Sequence, residues 1–208
     1  MAESEIGVKI GVFGGSFDPI HYGHLWPVRE ARRRLGLDRV LYLPTASPPH
    51  KPGRQTAPPW SRFAMVELAL LREEGMHASP LELTPGRPAY TVDSLARLTE
   101  EHPGDELWLI IGGDNFAQLP SWKSWRRLMR LARLAVLVRP RDKVRLEESW
   151  PPELRRLAAG DRVEFVANRP VPISSTRLRD LLAAGEDPPP RTMPRVVLQY
   201  IRKYSLYR

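Results

Sequence analysis

Two histidines three positions apart, His21 and His24, follow a glycine pair in the stretch Gly14-Gly15-Ser16-Phe17-Asp18-Pro19-Ile20-His21-Tyr22-Gly23-His24. Imidazoles so placed can donate to phosphoryl oxygens and stabilise the charge that spreads over them during in-line displacement. Gly23 between them leaves room for a phosphate to approach the backbone. A second polar group, Ile173-Ser174-Ser175-Thr176-Arg177-Leu178-Arg179, offers hydroxyls, guanidinium forks and the unpaired N–H groups of a helix start, all suited to another anion. Each group has a plainer alternative. The histidines could be polar residues of a surface loop or metal ligands, and Ser174 could be a cap before a solvated basic face. No glutamate stands between the histidines as in HExxH, and the chain has no cysteine, which argues against zinc.

Those residues need elements to position them. Val8 to Phe13 is apolar and β-branched enough for a buried strand, and a helix is expected over 24–35 with Pro27 in its first turn, where proline is tolerated. The histidine motif is then a strand–loop–helix junction, where free N–H groups and the helix dipole favour phosphate. Further strands are expected over 39–43, 77–83, 106–111, 133–138 and 162–167. Further helices are expected over 60–73, 91–101, 121–131, 152–159, 174–184 and 194–204. Strands alternating with amphipathic segments imply βαβ units. Right-handed crossovers then give an α/β, doubly wound, Rossmann-like parallel sheet with helices on both faces, whose ligands collect at the carboxyl ends of the strands. Two proline-rich loops, Pro44 to Pro59 and Pro140 to Pro151, interrupt the pattern. The first, with Pro48-Pro49-His50-Lys51 beyond a strand's carboxyl end, reads as functional and the second as a variable insertion.

At 208 residues the chain is read as one domain, 1–208, with a core over about 8–170 and a small C-terminal helical region over 171–208. Its formal charge of +8 favours anionic partners, and only five of its 32 basic residues are lysines. No apolar run reaches membrane-spanning length and the first residues do not resemble a signal peptide, so the expectation is a cytoplasmic protein with no membrane partner. The lack of cysteine removes disulfides and thiolate nucleophiles.

GGSFDPIHYGH at 14–24 and ISSTRLR at 173–179 resemble the HxGH and SxTxxR signatures of the nucleotidyltransferase superfamily, which shares its core with class I aminoacyl-tRNA synthetases. Within it the chain is most similar to bacterial nicotinate-nucleotide adenylyltransferases. The similarity continues through PPHK at 48–51, YTVD at 90–93, IGGDN at 111–115, LPSW at 119–122, VRP at 138–140 and PRVVLQYI at 194–201. The resemblance implies transfer of AMP from ATP to the phosphate of nicotinate mononucleotide, with pyrophosphate leaving, no covalent enzyme intermediate, and Mg²⁺ arriving on the nucleotide phosphates. It implies that His21, His24 and Arg179 are catalytic, with His24 nearest the α-phosphate. Ser174 and Thr176, with Arg179, would hold the β- and γ-phosphates. Gly14, Gly15, Ser16, Phe17, Gly112 and Ile173 would contribute to the ATP site, Asp114 would accept from ribose hydroxyls, and Arg139 would line the adenine side. Trp122 would stack on the pyridine ring, with Thr91 and Lys51 lining the acceptor pocket.

Some alternatives stay open. Asp114 could cap a helix beginning at Asn115, and Trp122, with Trp125 three positions on, could be core. Gly113 departs from the small residue usual before the aspartate, and Trp26-Pro27 after the histidines is unusual. Nicotinamide mononucleotide or phosphopantetheine could be the acceptor. A different class, an RNA-binding domain related to synthetase cores, is suggested by the pI of about 10.2, although the basic residues are scattered and no RNA-recognition motif stands out, so no nucleic-acid partner is expected. Monomer and homodimer are equally compatible with the sequence.

Overall fold

The central strands owe their place to apolar residues on both faces. In β4 (Glu106–Gly112), Leu107, Leu109 and Ile111 point to one side of the sheet and Trp108 and Ile110 to the other, and all five are buried. The computed structural model describes residues 7–46, 56–84, 89–138, 150–168 and 171–208. With β1 (Lys9–Gly15), β2 (Arg39–Pro44), β3 (Met76–Ala78), β5 (Arg133–Val138) and β6 (Val163–Ala167), β4 builds a six-stranded, wholly parallel sheet in the order β3-β2-β1-β4-β5-β6. The order reverses between β1 and β4, the place where an open α/β sheet leaves a crevice for ligands.

Two cores follow from this double-sided burial. On one face lie α1 (Tyr22–Leu35), α2 (Pro59–Leu70), α7 (Ser175–Ala183) and α8 (Arg195–Lys203), through Leu25, Val28, Met65, Leu178, Val197 and Ile201. On the other lie α3 (Thr91–Glu101), α4 (Gly113–Ala117), α5 (Trp125–Leu131) and α6 (Pro152–Ala158), through Leu95, Leu98, Phe116, Leu128 and Leu154. The expected doubly wound α/β fold is therefore present. The C-terminal helices α7 and α8 share one core with α1 and α2 and are part of the sheet's cover.

Local details depart from the sequence-based expectation where proline or a left-handed residue intervenes. The strand expected over 77–83 ends at Ala78, because Pro80 starts a 3-10 turn, Pro80–Glu82, which Ser79 caps by accepting from the Leu81 N–H. The helix expected over 121–131 is divided into a 3-10 turn, Leu119–Ser121, and α5, joined through Ser124 at φ 51°. The short helix α4 was not among the expected elements. Helix α1 starts at Tyr22, earlier than expected, so Pro27 is inside the helix and buried. The Gly23 carbonyl consequently has no N–H four residues on.

Helix α1 stops at Gly36, which takes φ 62° and ψ 42° and donates its N–H to the Arg32 carbonyl. A Cβ there would meet nothing within 4 Å, so only the left-handed backbone selects glycine. Gly36→Ala is expected to cost about 1 kcal/mol, seen as a lower midpoint in urea with unchanged slope.

Candidate active site

The loop between β1 and α1 is held open by a histidine pair that caps its own helix. His21 is the N-cap at φ −152°, and its Nδ1 accepts the Gly23 N–H at 3.0 Å. His24 returns the contact, its Nδ1 accepting the His21 N–H at 3.2 Å. The arrangement is a capping box made of imidazoles in place of the usual hydroxyl and carboxylate. It fixes the tautomer of both rings: with each Nδ1 used as acceptor of a backbone N–H, the neutral ring carries its proton on Nε2 and can donate only there. The rings lie tilted together, centroids 3.9 Å apart. Burial lowers the His21 pKa from 6.5 to about 4, so this ring is a neutral donor at physiological pH.

Gly23 is required by that packing. A Cβ on it would sit 2.7 Å from His21 Cε1 and 2.8 Å from its Nδ1. Gly14, by contrast, would accept a Cβ with nothing within 4 Å, and so would Gly112 at the end of the neighbouring strand. Those glycines leave open space at the carboxyl ends of β1 and β4, where the strand order reverses. Phe17 is 1% exposed at φ 46°, its ring against Phe13, Tyr42 and His24. Any contribution Phe17 makes to a ligand is therefore through its backbone.

The second expected group comes to the same loop. Ser174 caps α7 by accepting the Arg177 N–H at 3.2 Å, and Ile173 is partly buried against the α1 side of the core. Ser175 Oγ donates to the Pro19 carbonyl at 3.1 Å. Arg179 donates to the Asp18 carbonyl at 2.5 Å and to Thr176 Oγ1 at 3.2 Å. Residues far apart in sequence thus meet as the resemblance implies, with Arg179 turned toward Asp18. Asp114 is exposed within the first turn of α4, whose N-cap is Gly112, so Asp114 does not cap a helix beginning at Asn115.

A cavity of about 530 Å³ opens beside Gly14, Gly15 and Ser16, with Thr91 and Trp122 among its walls. Trp122 is not on a helix: it follows the 3-10 turn in extended conformation, half-buried, which separates it from Trp125 beneath Arg126. Lys123 at the same wall reaches Asp93 at 2.9 Å and lies over the Tyr90 ring. Lys51 and Arg139 lie outside the described residues. Among the described residues, no group of three or more His, Asp or Glu side chains could hold a metal, and no helix is long and apolar enough to cross a membrane.

Around the glycine loop and the cavity, sequence reasoning missed Arg62 and Glu82. Arg62 is fully buried in α2 and donates to the carbonyls of Ser16 (2.6 Å), Thr45 (2.7 Å), Ala46 (3.2 Å) and Ala57 (3.0 Å), tying the glycine loop to the exit of β2. Burial lowers its pKa, and the Asp18 charge opposes that shift. An arginine directly before the apolar run Phe63-Ala64-Met65-Val66 was the available signal. Glu82 lines the cavity and accepts from Ser94 Oγ at 2.6 Å; burial raises its pKa. Nothing in its local sequence distinguished it.

Comparison with known proteins bears on this arrangement. The cytidylyltransferase-like family model matches residues 12–181, a span that holds both histidines and the 173–179 group. A probable nicotinate-nucleotide adenylyltransferase of Aeromonas hydrophila is 40% identical over 214 residues, covering 96% of this chain and 97% of the relative. A second, from Gloeobacter violaceus, is 37% identical over 204 residues and 97% of each chain. The chain belongs to the nicotinate-nucleotide adenylyltransferase family. Its fold is also that of a Plasmodium falciparum nicotinic acid mononucleotide adenylyltransferase solved in complex with NaAD, with a TM-score of 0.76 at 19% identity over 96% of this chain and 97% of that one. For this member of the family, the imidazole capping box is the feature that organises the loop.

Two outcomes check that organisation. Gly23→Ala forces the His21 ring away from its cap and is expected to lower turnover about a hundredfold while the circular dichroism spectrum is retained. As the folded-state pKa of His21 lies below the unfolded value, its neutral form supports stability above pH 6.5. That support is lost as pH falls from 6.5 to about 4, by about 3 kcal/mol in total. Urea unfolding across pH 4 to 8 should show this slope in the native protein and a flatter one in His21→Gln; equal slopes contradict the assignment.

Proposed function

We propose that this protein transfers AMP from ATP to the phosphate of nicotinate mononucleotide, giving nicotinate adenine dinucleotide and pyrophosphate in NAD biosynthesis. The observation that carries the reading is the imidazole capping box that ends the same loop whose Gly14, Gly15 and Ser16 line the 530 Å³ cavity at the strand-order reversal. The cavity supplies a place for the acceptor, with Trp122 to stack on the pyridine ring and Thr91 to donate. Both rings of the box offer Nε2–H to the α-phosphate, and the start of α7, with Ser174, Thr176 and Arg179, meets the β- and γ-phosphates.

In the reaction an oxygen of the mononucleotide phosphate forms a bond to the α-phosphorus as the bond from that phosphorus to the bridging oxygen breaks. The electron pair leaves with pyrophosphate. Both reactants are anions, so the protein's work is alignment and neutralisation. The histidines are suited to this because burial keeps His21 neutral while Nε2–H still donates. Mg²⁺ carried in on the triphosphate would supply further neutralisation. Asp114, Lys51 and Arg139 complete the proposed site at the ribose, the acceptor and the adenine respectively, and the reaction is assigned to the cytoplasm with its soluble substrates.

Pyrophosphate release from ATP, measured with nicotinate mononucleotide, nicotinamide mononucleotide and phosphopantetheine at matched concentrations, tests the proposal. Nicotinate mononucleotide should give the highest kcat/KM, and His24→Ala should reduce kcat by at least about a hundredfold with folding intact. Trp122→Ala should raise KM for the mononucleotide more than KM for ATP. Turnover only with phosphopantetheine, or none with any acceptor, sinks the reading.

A further inference from the structure

Asp18 is 2% exposed, and its carboxylate is served from three directions. Oδ1 accepts the Ala57 N–H at 3.0 Å and the Tyr207 hydroxyl at 2.7 Å, while Oδ2 faces Arg179 Nη1 at 3.6 Å. The Asp18 carbonyl also accepts from Arg179. Tyr207 is the next-to-last residue, and its hydroxyl reaches a loop 189 positions earlier. It gets there through a tight turn after α8 in which Ser205 and Tyr207 take φ 51° and 66°, conformations unfavourable for a non-glycine residue. The tyrosine ring rests against the same core as α1 and α2. Burial, reinforced by the Asp18 charge, raises the pKa of the phenol, so it keeps its proton and can only donate to the carboxylate.

We propose that Tyr207 is a positioning residue for ATP binding: its hydroxyl holds the Asp18 carboxylate, which otherwise draws on Arg179. Resting on the function proposed above, the inference assigns a role in that site to the C-terminal turn. Arg179 lies between the buried carboxylate at 3.6 Å and Thr176, the side on which the triphosphate is proposed to bind. Each donor that Asp18 receives from Ala57 and Tyr207 lessens its pull on the guanidinium. Loss of the hydroxyl leaves a buried carboxylate one donor short, and Arg179 is the cation beside it. The histidines share the effect, since Asp18 and Pro19 form the turn that leads into the N-cap at His21.

Tyr207→Phe keeps the ring in the core and removes only the donor. The full-length protein, Tyr207→Phe, Asp18→Asn and the double variant are compared by steady-state pyrophosphate release and by the shift in melting temperature that ATP produces without mononucleotide. Tyr207→Phe is expected to raise KM for ATP about tenfold, consistent with loss of one hydrogen bond to a charge, and to shrink the ATP-induced shift, leaving KM for the mononucleotide within about twofold. In the Asp18→Asn background the same change should add little, because both act through one carboxylate. Should Asp18→Asn not fold, the Tyr207→Phe comparison decides alone. A Tyr207→Phe protein with the native KM for ATP and the native ATP shift overturns the proposal. So does an equal rise in both KM values with a lower melting temperature, which describes a merely structural tyrosine. If the native protein releases no pyrophosphate yet ATP still stabilises it less in Tyr207→Phe, the functional proposal fails and this one stands.

Discussion

A carboxylate shut away from water must be supplied with donors, and Asp18 obtains them from parts of the chain that are remote from one another. Ala57, at the entrance to α2, and Tyr207, in the turn after α8, donate to Oδ1, while Arg179 of α7 is ion-paired with Oδ2 at 3.6 Å and donates to the Asp18 carbonyl. An unserved buried carboxylate costs several kcal/mol, so these three segments are constrained to meet at one turn. That turn is the one between the glycine end of β1 and the start of α1. Arg62 acts from below on the same segment, through the Ser16 carbonyl. The shape of the loop between β1 and α1 is thus imposed from behind, by buried polar groups.

What faces the ligand follows from hydrogen-bond supply at a helix start. The first N–H groups of α1 lack partners within the helix, and His21 and His24 satisfy two of them with Nδ1. Capping therefore bears on chemistry: the cap uses the acceptor nitrogen of each ring, so that each neutral ring carries its proton on Nε2. Gly23 is the condition for this, because any side chain there would displace the His21 ring. Gly14 and Gly112 are a different case, positions where space is kept although the protein itself does not fill it.

Much of this could be read in the amino-acid sequence. Apolar alternation identified the strands and most helices, and the HxGH and SxTxxR resemblance picked out 14–24 and 173–179, which the fold sets side by side. Failures clustered where local conformation overrode periodicity: Pro80 ended a strand, and left-handed Ser124 divided a helix and released Trp122 into the cavity wall. Phe17 shows a different limit, since a motif position can be held for packing, with its ring buried in the core. Arg62 and Tyr207 were invisible because their partners are backbone carbonyls and a carboxylate far away in sequence; no spacing rule relates Tyr207 to Asp18. Such contacts arise only once the sheet has brought its strand ends together.

The proposed reaction requires that the imidazole box and the start of α7 bind the triphosphate while the cavity beside Gly14 binds the mononucleotide. A crystal structure of the native protein with a non-hydrolysable ATP analogue and nicotinate mononucleotide tests it most directly. The account predicts the α-phosphate within hydrogen-bond distance of Nε2 of both His21 and His24, with the pyridine ring against Trp122. A triphosphate bound away from both histidines, or a pyridine ring seated outside the cavity beside Gly14, would contradict it.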